Sequence, residues 1–330
     1  MDRPDRHGIV REPATWLVVL AFGLLYTSWS TTFFAIRIGV HSYQLPPWLF
    51  AGVRVFVAGV IVLAFLAWRE PGRVLPSPRD FLWIAWSGIL LFVGGNGLMT
   101  VSLEQLPSGT GAVFTAATPL WLALMEALYP PGDKLPAAGW AGLFFGLVGV
   151  AILIVPEIRT PERLLHNTAP LLLLGSTVLW ALGSLTVRYK LRGASHLAGA
   201  AWQMIIGGAL LVIIGMAKGE STRLGPETLA AGAIGSFVYL VIVGSLIGFT
   251  AFNWLLINVR ATLVGTYAYV NPVLAVLLGC TLGKEALTVS IIFGMVVILT
   301  AVALVRAAGV RKPAAAAVHA QPAVELAETA

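Results

Sequence analysis

Nine stretches of this chain contain no Asp, Glu, Lys or Arg, and each is at least 20 residues long. A helix needs about 20 residues to cross the hydrocarbon core of a bilayer, so each stretch is long enough to span it. A tenth apolar stretch, 47–68, is interrupted only by Arg54. The nine uncharged stretches are 13–36, 81–103, 105–125, 135–156, 164–187, 193–217, 228–259, 261–283 and 286–305.

These ten candidate spans predict an all-α integral membrane protein with ten transmembrane helices in contact with the lipid bilayer. Only 11% of the residues are charged, against about 25% in soluble domains. The apolar runs are continuous, whereas barrel strands alternate, so helices are favoured over a barrel. The first run has 24 residues, which exceeds the roughly 7–15 residues of a signal-peptide apolar region. It is therefore interpreted as a span.

The distribution of basic residues predicts the orientation. With the N-terminus inside, the inner segments hold fourteen Lys and Arg and the outer loops hold six. Positive residues are enriched in cytoplasmic loops, so both termini are predicted to be cytoplasmic. The net charge of +6 is accordingly interpreted as a topology signal, and no nucleic-acid partner is predicted.

The two halves of the chain resemble each other at an offset near 150 residues. Trp29 and Arg37 correspond to Trp180 and Arg188, Thr100 to Asn253, and Pro119 to Pro272. Five spans per half reverse the direction of the second half, which gives an inverted-topology repeat typical of secondary transporters. The predicted division is a cytoplasmic tail (1–12), a first repeat (13–156), an extracytoplasmic linker (157–167), a second repeat (168–306) and a disordered cytoplasmic tail (307–330).

The paired prolines point to a shared function in the two halves. Pro119 and Pro272 lie near the centres of spans four and nine, and a proline inside a helix leaves a backbone carbonyl unpaired. At mid-membrane such a carbonyl is tolerated beside other helices or a water-filled cavity. Both prolines are predicted to break their helices next to a central cavity, and a simple packing kink is the alternative.

Several local motifs resemble EamA-type permeases of the drug/metabolite transporter superfamily, with the YedA-like inner-membrane subgroup as the best match. The resemblance covers roughly residues 14–306, and Trp29-Ser30-Thr31 stands where the family often has Trp-Gly-Ser. It implies two inverted five-helix repeats, a central cavity among helices 1, 3, 4, 6, 8 and 9, a bacterial inner-membrane location, and export of metabolites or amino acids. The motifs are WSTTFFAIRIG from Trp29, FAGVR ending at Arg54, GNGLMTVS from Gly95, LPSGTGA from Leu106 and TYAYVNPVLAVLLG from Thr266.

Polar and aromatic side chains inside the spans are the candidate binding residues for a small-molecule substrate, because they are costly in lipid. Amides, hydroxyls and indoles suit small amphipathic or zwitterionic solutes. Hydroxyls bonded to their own helix, interhelical amide contacts and interfacial tryptophans are the alternatives. The predicted substrate-binding residues are Trp29, Asn96, Thr100, Thr118, Trp180, Asn253, Tyr267 and Asn271.

Arg54 is a basic residue well inside a predicted span. Three interpretations stay open: the side chain extends to the membrane surface, pairs with Glu104 near the end of span three, or binds a substrate carboxylate. No acidic residue lies near the middle of a span, so a carboxylate proton relay is not predicted. Facilitated diffusion or exchange is favoured over proton antiport.

No metal-ligand cluster, catalytic triad or cofactor motif is found in the sequence, and neither a metal nor a cofactor is predicted. The leading hypothesis is an alternating-access transporter that exports small organic metabolites such as amino acids. An integral membrane enzyme is the alternative, but it needs clustered acids, histidines or metal ligands near one membrane face. A membrane sensor without transport activity is a third hypothesis, and the chain shows no soluble output domain for it.

Overall fold

The computed structural model describes residues 14–128, 136–158, 168–191, 195–259, 264 and 267–309. The predicted N-terminal tail lies outside these residues, as do nearly all of the predicted linker and C-terminal tail. The helices, in chain order, are α1 (Thr15–Arg37), α2 (Pro47–Arg69), α3 (Pro78–Gly88), α4 (Leu98–Gln105), α5 (Ser108–Thr115), α6 (Thr118–Leu128), α7 (Ala137–Ile158), α8 (Ala169–Lys190), α9 (His196–Ala217), α10 (Ala231–Tyr239), α11 (Thr250–Asn258), α12 (Tyr267–Thr281) and α13 (Val289–Gly309).

Three π-helical segments interrupt or extend these helices. Ile38–Ser42 continues α1, Ile89–Gly97 joins α3 to α4, and Leu240–Phe249 joins α10 to α11. The last two segments begin 151 residues apart and occupy the same place in the two halves. Because π turns in helices often mark functional sites, this pair draws attention to the third helix of each half.

Seven continuous helical stretches among the described residues are long and apolar enough to cross a membrane. Three shorter apolar helices accompany them: Ala137–Leu153, Val270–Thr281 and Val289–Val305. Many large apolar side chains are exposed on the outside of the bundle, among them Trp68, Phe144 and Phe293. In water such a surface would be unfavourable, whereas lipid tails solvate it, so the surface fits a bilayer environment.

Helices of the first half pack against helices of the second half in a reciprocal pattern. Helix α1 contacts α11, α12 and the Leu240–Phe249 segment, while α8 contacts α4, α6 and the Ile89–Gly97 segment. Helix α2 packs along α9, and α7 packs along α13. Each contact that a helix of the first half makes with the second half therefore has an equivalent contact with the two halves reversed.

Glycines allow α2 and α9 to approach until their backbones touch. A Cβ atom added to Gly52 would lie 2.7 Å from the backbone nitrogen of Val212. One added to Gly208 would lie 2.6 Å from the backbone nitrogen of Phe56. Larger residues at these positions would separate the helices, so glycine is required there for close packing.

The two paired prolines have different effects on their helices. Pro119 is the second residue of α6, and a two-residue turn at Ala116–Ala117 lies between α5 and α6. Pro272 instead lies inside α12, which continues from Tyr267 to Thr281, so the predicted break at Pro272 is wrong. A proline near a helix start needs no N–H partner. Helix α12 packs against both α1 and α5.

Carboxylates from distant loops complete two helix starts. The side chain of Glu220 accepts hydrogen bonds from the backbone N–H groups of Trp48 (3.3 Å) and Leu49 (2.9 Å) at the start of α2. The side chain of Glu285 accepts from the N–H groups of Ser108 (2.9 Å) and Gly109 (3.2 Å) at the start of α5. The first N–H groups of a helix have no partner within it, and an anion there also interacts favourably with the helix dipole.

Candidate functional site

A cavity of about 90 Å³ lies between the two halves of the bundle. This volume is several times the ~10–15 Å³ that one water molecule needs. The resemblance implied six helices around it, and the structure adds α2 through Arg54 and Val55. The lining residues are Trp29, Thr32, Phe33, Ile36, Arg54, Val55, Phe92, Gly95, Asn96, Met99, Thr115, Thr118, Ser176, Thr177, Trp180, Gly244, Ser245, Phe249, Tyr267 and Asn271.

Four aromatic rings form a cluster against this cavity. The ring centroids of Trp29 and Trp180 are 5.4 Å apart, with the planes at 81°. Tyr267 lies edge-on to Trp29 at 5.1 Å, and Phe252 packs on Trp29 at 4.8 Å. Edge-to-face pairs at these distances are favourable beyond their buried area. The cluster therefore forms a rigid apolar wall that contains three of the predicted binding residues.

Each of the two tryptophans sits on a glycine of the opposite half. A Cβ atom on Gly95 would lie 2.6 Å from Cε3 of Trp180, and one on Gly248 would lie 2.5 Å from Nε1 of Trp29. Both glycines belong to the paired π-helical segments. The indole N–H of Trp29 also donates to the carbonyl of Gly244 in the same segment, at 3.2 Å.

Arg54 is buried, with 3% of its surface exposed, and it lines the cavity. Its Nη2 donates to Oδ1 of Asn96 at 2.8 Å, and its Nε has no hydrogen-bond partner among the described residues. The suggested pair with Glu104 does not form, because Glu104 instead accepts from Arg223 at 2.6 Å. The side chain also does not extend to the surface, so two of the three interpretations fail.

Asn271 lines the cavity and also connects two helices. Its Oδ1 accepts a hydrogen bond from the hydroxyl of Ser30 on α1 at 2.9 Å. The oxygen of the same hydroxyl lies 2.6 Å from the carbonyl oxygen of Tyr26, so its single proton is shared between the two acceptors. The interhelical and binding-residue interpretations of Asn271 are therefore compatible.

Hydroxyl groups in the lining differ in how they are engaged. Thr32, Thr115 and Ser176 each donate to a carbonyl of their own helix. Thr118 and Ser245 make no hydrogen bond to another described residue. The latter two hydroxyls are therefore the ones available to a solute, and Thr118 is among the predicted residues.

Two predicted binding residues lie outside the lining. The hydroxyl of Thr100 donates to the carbonyl of Asn96 at 2.8 Å, and the amide of Asn253 donates to the carbonyl of Phe249 at 3.2 Å. Both side chains are buried, at 0% and 3% exposure. Each bonds the residue four positions earlier, which itself lines the cavity. They support the wall from behind in both halves, so the expectation that they face the cavity is wrong.

Sequence reasoning did not find several lining residues. Ser176 and Thr177 on α8, and Gly244 and Ser245 in the second π-helical segment, all reach the cavity. The sequence GSLIG at 244–248 has two glycines four residues apart, a pattern typical of close helix packing. Both glycines allow close approach, of the Thr32 methyl group at Gly244 and of the Trp29 indole at Gly248. The match between Gly95 and Gly248 at an offset of 153 was the available signal.

Two ion pairs join the halves of the chain at repeat-equivalent arginines. Arg37 at the end of α1 pairs with Glu285 (Nε to Oε1, 3.2 Å), and its guanidinium also donates to the carbonyls of Leu103 and Leu106. The repeat-equivalent Arg188 on α8 lies 3.7 Å from Glu126 on α6. Each of the two matching arginines therefore joins the first helix of one half to a residue of the other half.

The chain is similar to known membrane transporters over most of its length. The model of the EamA-like transporter family matches residues 13–155 and 167–307. The Escherichia coli K12 protein named "Uncharacterized inner membrane transporter YedA" is 39% identical over 284 residues, covering 85% of this chain and 88% of that protein. The Bacillus subtilis "Uncharacterized transporter YvbV" is 26% identical over 272 residues, covering 82% and 86%. A crystal structure with 21% identity superposes with a TM-score of 0.66 over 91% of this chain and 100% of the other, which shows a shared fold.

Proposed function

This chain belongs to the EamA-like transporter family, and on that premise we propose that it carries small organic solutes such as amino acids by alternating access. The family and the named relatives indicate a membrane transporter rather than an enzyme. Its several apolar helices and its inner-membrane relative make it a multi-pass inner-membrane protein. The substrate class, the exporting direction and the mechanism are the parts that we propose.

The proposed architecture is ten spans arranged as two inverted five-helix repeats, at residues 13–156 and 168–306. Three observations support it. The seven long and three shorter apolar helices supply one helix for every predicted span. The contacts between the halves are reciprocal. The two π-helical segments match in position, and each holds a glycine that receives a tryptophan of the other half.

Alternating access follows from this symmetry. Two similar halves with opposite directions can exchange conformations, which gives inward-open and outward-open states of similar energy. We propose that the ion pairs Arg37–Glu285 and Arg188–Glu126, each of which joins the two halves, close opposite ends of the pathway. In the proposed cycle one of these pairs opens while the other stays closed. The excess of basic residues in the proposed inner segments supports the proposal that both termini are cytoplasmic.

The observation that carries the proposal is the cavity between the halves, which combines an aromatic wall with a few inward polar groups. Ligand sites are typically apolar concavities with a small number of polar groups that fix orientation. The residues proposed to contact the solute are Trp29, Asn96, Thr118, Trp180, Tyr267 and Asn271, while Thr100 and Asn253 are proposed to support the wall.

Purified protein reconstituted into liposomes tests the function by counterflow. A panel of radiolabelled amino acids, sugars and nucleosides is offered to vesicles loaded with the same unlabelled solute. Transient accumulation above that of protein-free vesicles is expected for at least one class. If folded protein produces no accumulation with any class, the transport proposal is wrong.

A further inference from the structure

We propose that Arg54 binds a carboxylate, and that the solute is a small monocarboxylate with an apolar body, for which an amino group is not required. The inference deepens the transport function proposed above and rests on it. It names the substrate class of the same cavity and assigns Arg54 as the residue that selects it.

The burial of Arg54 is the first step. An ionised guanidinium taken out of water loses several kcal/mol of hydration even after the protein relaxes around it. Arg54 is only 3% exposed and lies inside an apolar helix. Ionisable residues inside membrane helices generally face a cavity and have a function. The position of Arg54 in the cavity lining fits that rule.

The partners of Arg54 do not compensate its charge. Among the described residues it has one hydrogen bond, to the neutral amide oxygen of Asn96, and its Nε has none. None of the lining residues of the cavity is an Asp or Glu. A guanidinium has a planar set of donors that matches a carboxylate in a two-point contact. A solute carboxylate would supply the counter-charge that the described protein lacks there.

The second half of the chain provides an internal comparison. Gln203 stands opposite Arg54 in the repeat and is fully buried. Its amide donates to the hydroxyl of Ser87 at 2.7 Å, and it does not belong to the cavity lining. If this position served packing alone, a neutral side chain would suffice in both halves. The charge is present only in the half where the side chain reaches the cavity.

The rest of the cavity lining determines which other groups of the solute can be bound beside its carboxylate. Phe92, Phe249 and the rings of Trp29, Trp180 and Tyr267 provide an apolar lining. Arg54 is the charged residue of the lining, so an ammonium group on the solute would find no carboxylate there to pair with. An amino group would meet amide oxygens, hydroxyl oxygens such as those of Thr118 and Ser245, and ring faces, which bind cations more weakly than a buried carboxylate does. Recognition therefore depends on the carboxylate and the apolar body.

The test measures binding to full-length protein in detergent by the shift in melting temperature. The probes are 4-methylpentanoate, 4-methylpentanamide, L-leucine and L-leucinamide, with sodium chloride at equal ionic strength as the inorganic control. A ligand that binds only the folded state raises the melting temperature as its concentration exceeds Kd. We expect both carboxylates to raise it and both amides and chloride to leave it unchanged.

Variants of Arg54 then assign the effect to this residue. Arg54→Gln is expected to weaken carboxylate binding about 30-fold or more, as loss of one partner of a buried charge pair does. Arg54→Lys keeps the charge without the planar donor set and is expected to fall between Arg54→Gln and the parent. Arg223→Gln, at an exposed ion pair, is the matched control and should bind as the parent does. If Arg54→Gln fails to fold, the affinity of Arg54→Lys for the carboxylates is the deciding measurement. An affinity equal to that of the parent would overturn the proposed two-point contact.

Equal shifts with acids and amides, or with chloride, would overturn the carboxylate assignment. Unchanged binding in a folded Arg54→Gln protein would overturn it as well. If the parent binds none of these carboxylates but accumulates an uncharged solute in the counterflow panel, the carboxylate proposal is wrong and the transport proposal stands. If the carboxylates bind through Arg54 but no solute of any class is moved, the transport proposal fails instead.

Discussion

Trp29 and Trp180 occupy equivalent positions in the two halves of the chain and contact each other, with ring centroids 5.4 Å apart. Each indole also lies against a glycine of the opposite half, Trp29 against Gly248 and Trp180 against Gly95. The interface between the halves is therefore built from two copies of one contact. A change on one side can be compared with the equivalent change on the other.

Gly248→Ala is expected to lower both transport and thermal stability. The added methyl group would lie 2.5 Å from Nε1 of Trp29, so the indole must move and its bond to the Gly244 carbonyl is weakened. Overpacking of this kind typically costs about 1–3 kcal/mol. Counterflow and the melting temperature measure the two effects. Gly235→Ala is the matched control, because nothing lies within 4 Å of its added Cβ; equal behaviour of the two variants would contradict the prediction.

Asn271→Leu is expected to insert and fold normally but to lose most of its flux. Leucine removes a polar group from the cavity, while the Ser30 hydroxyl keeps its bond to the Tyr26 carbonyl. The lost interhelical hydrogen bond is worth only about 0.6 kcal/mol on average. Flux is measured by counterflow at equal protein content. Asn258→Leu, on an exposed part of α11, is the control, and parental flux in Asn271→Leu would leave Asn271 as a packing residue.

Glu285→Gln is expected to destabilise the protein by about 2 kcal/mol, as loss of hydrogen bonds to a charged group does. The substitution removes the ion pair with Arg37 and weakens the bonds to the start of α5. Chemical denaturation in detergent measures the change. Glu70→Gln is the comparison, because Glu70 pairs with Arg73 at the exposed surface, where such pairs contribute at most ~1 kcal/mol. A loss in Glu70→Gln as large as in Glu285→Gln would refute the assignment.

Single cysteines test the proposed orientation. Cys280→Ser removes the cysteine of the chain, and Ser221→Cys or Gly72→Cys is then introduced in exposed segments. In intact spheroplasts a membrane-impermeant maleimide should label position 221 and should not label position 72. Both positions should react after permeabilisation. The opposite pattern would place the termini outside, despite the distribution of basic residues.

Membrane insertion and the repeat could be predicted because both depend on features that are local or regular in sequence. Uncharged runs mark helices in lipid since every backbone group must be bonded within the helix. The equivalence of Trp29 and Trp180 appeared as a constant offset. Arg54 was evident as a charge in an apolar run, although its hydrogen bond to Asn96 depended on tertiary packing.

Other features depend on contacts that no local pattern encodes. Regular helical spacing places Asn96 and Thr100 on one face, but Asn96 lies in a π-helical segment and Thr100 follows in α4. A π turn holds more residues than an α turn, so side chains beyond it point in a different direction from the α-helical expectation. Thr100 lies outside the cavity lining, and its hydroxyl bonds the Asn96 carbonyl four residues earlier, as a threonine in a regular helix commonly does. Helix α12 likewise continues through Pro272, although a proline inside a helix predicts a break there.

The carboxylate of Glu220 at the start of α2 has a consequence for how the chain is made. Its partners Trp48 and Leu49 are synthesised 172 and 171 residues earlier. At roughly 5–20 residues per second, α2 emerges roughly 10–30 s before the group that completes its first turn exists. During biosynthesis, the backbone N–H groups of Trp48 and Leu49 therefore lack this acceptor until Glu220 has been synthesised. A fragment that stops after α7 would keep the start of α2 permanently open to water.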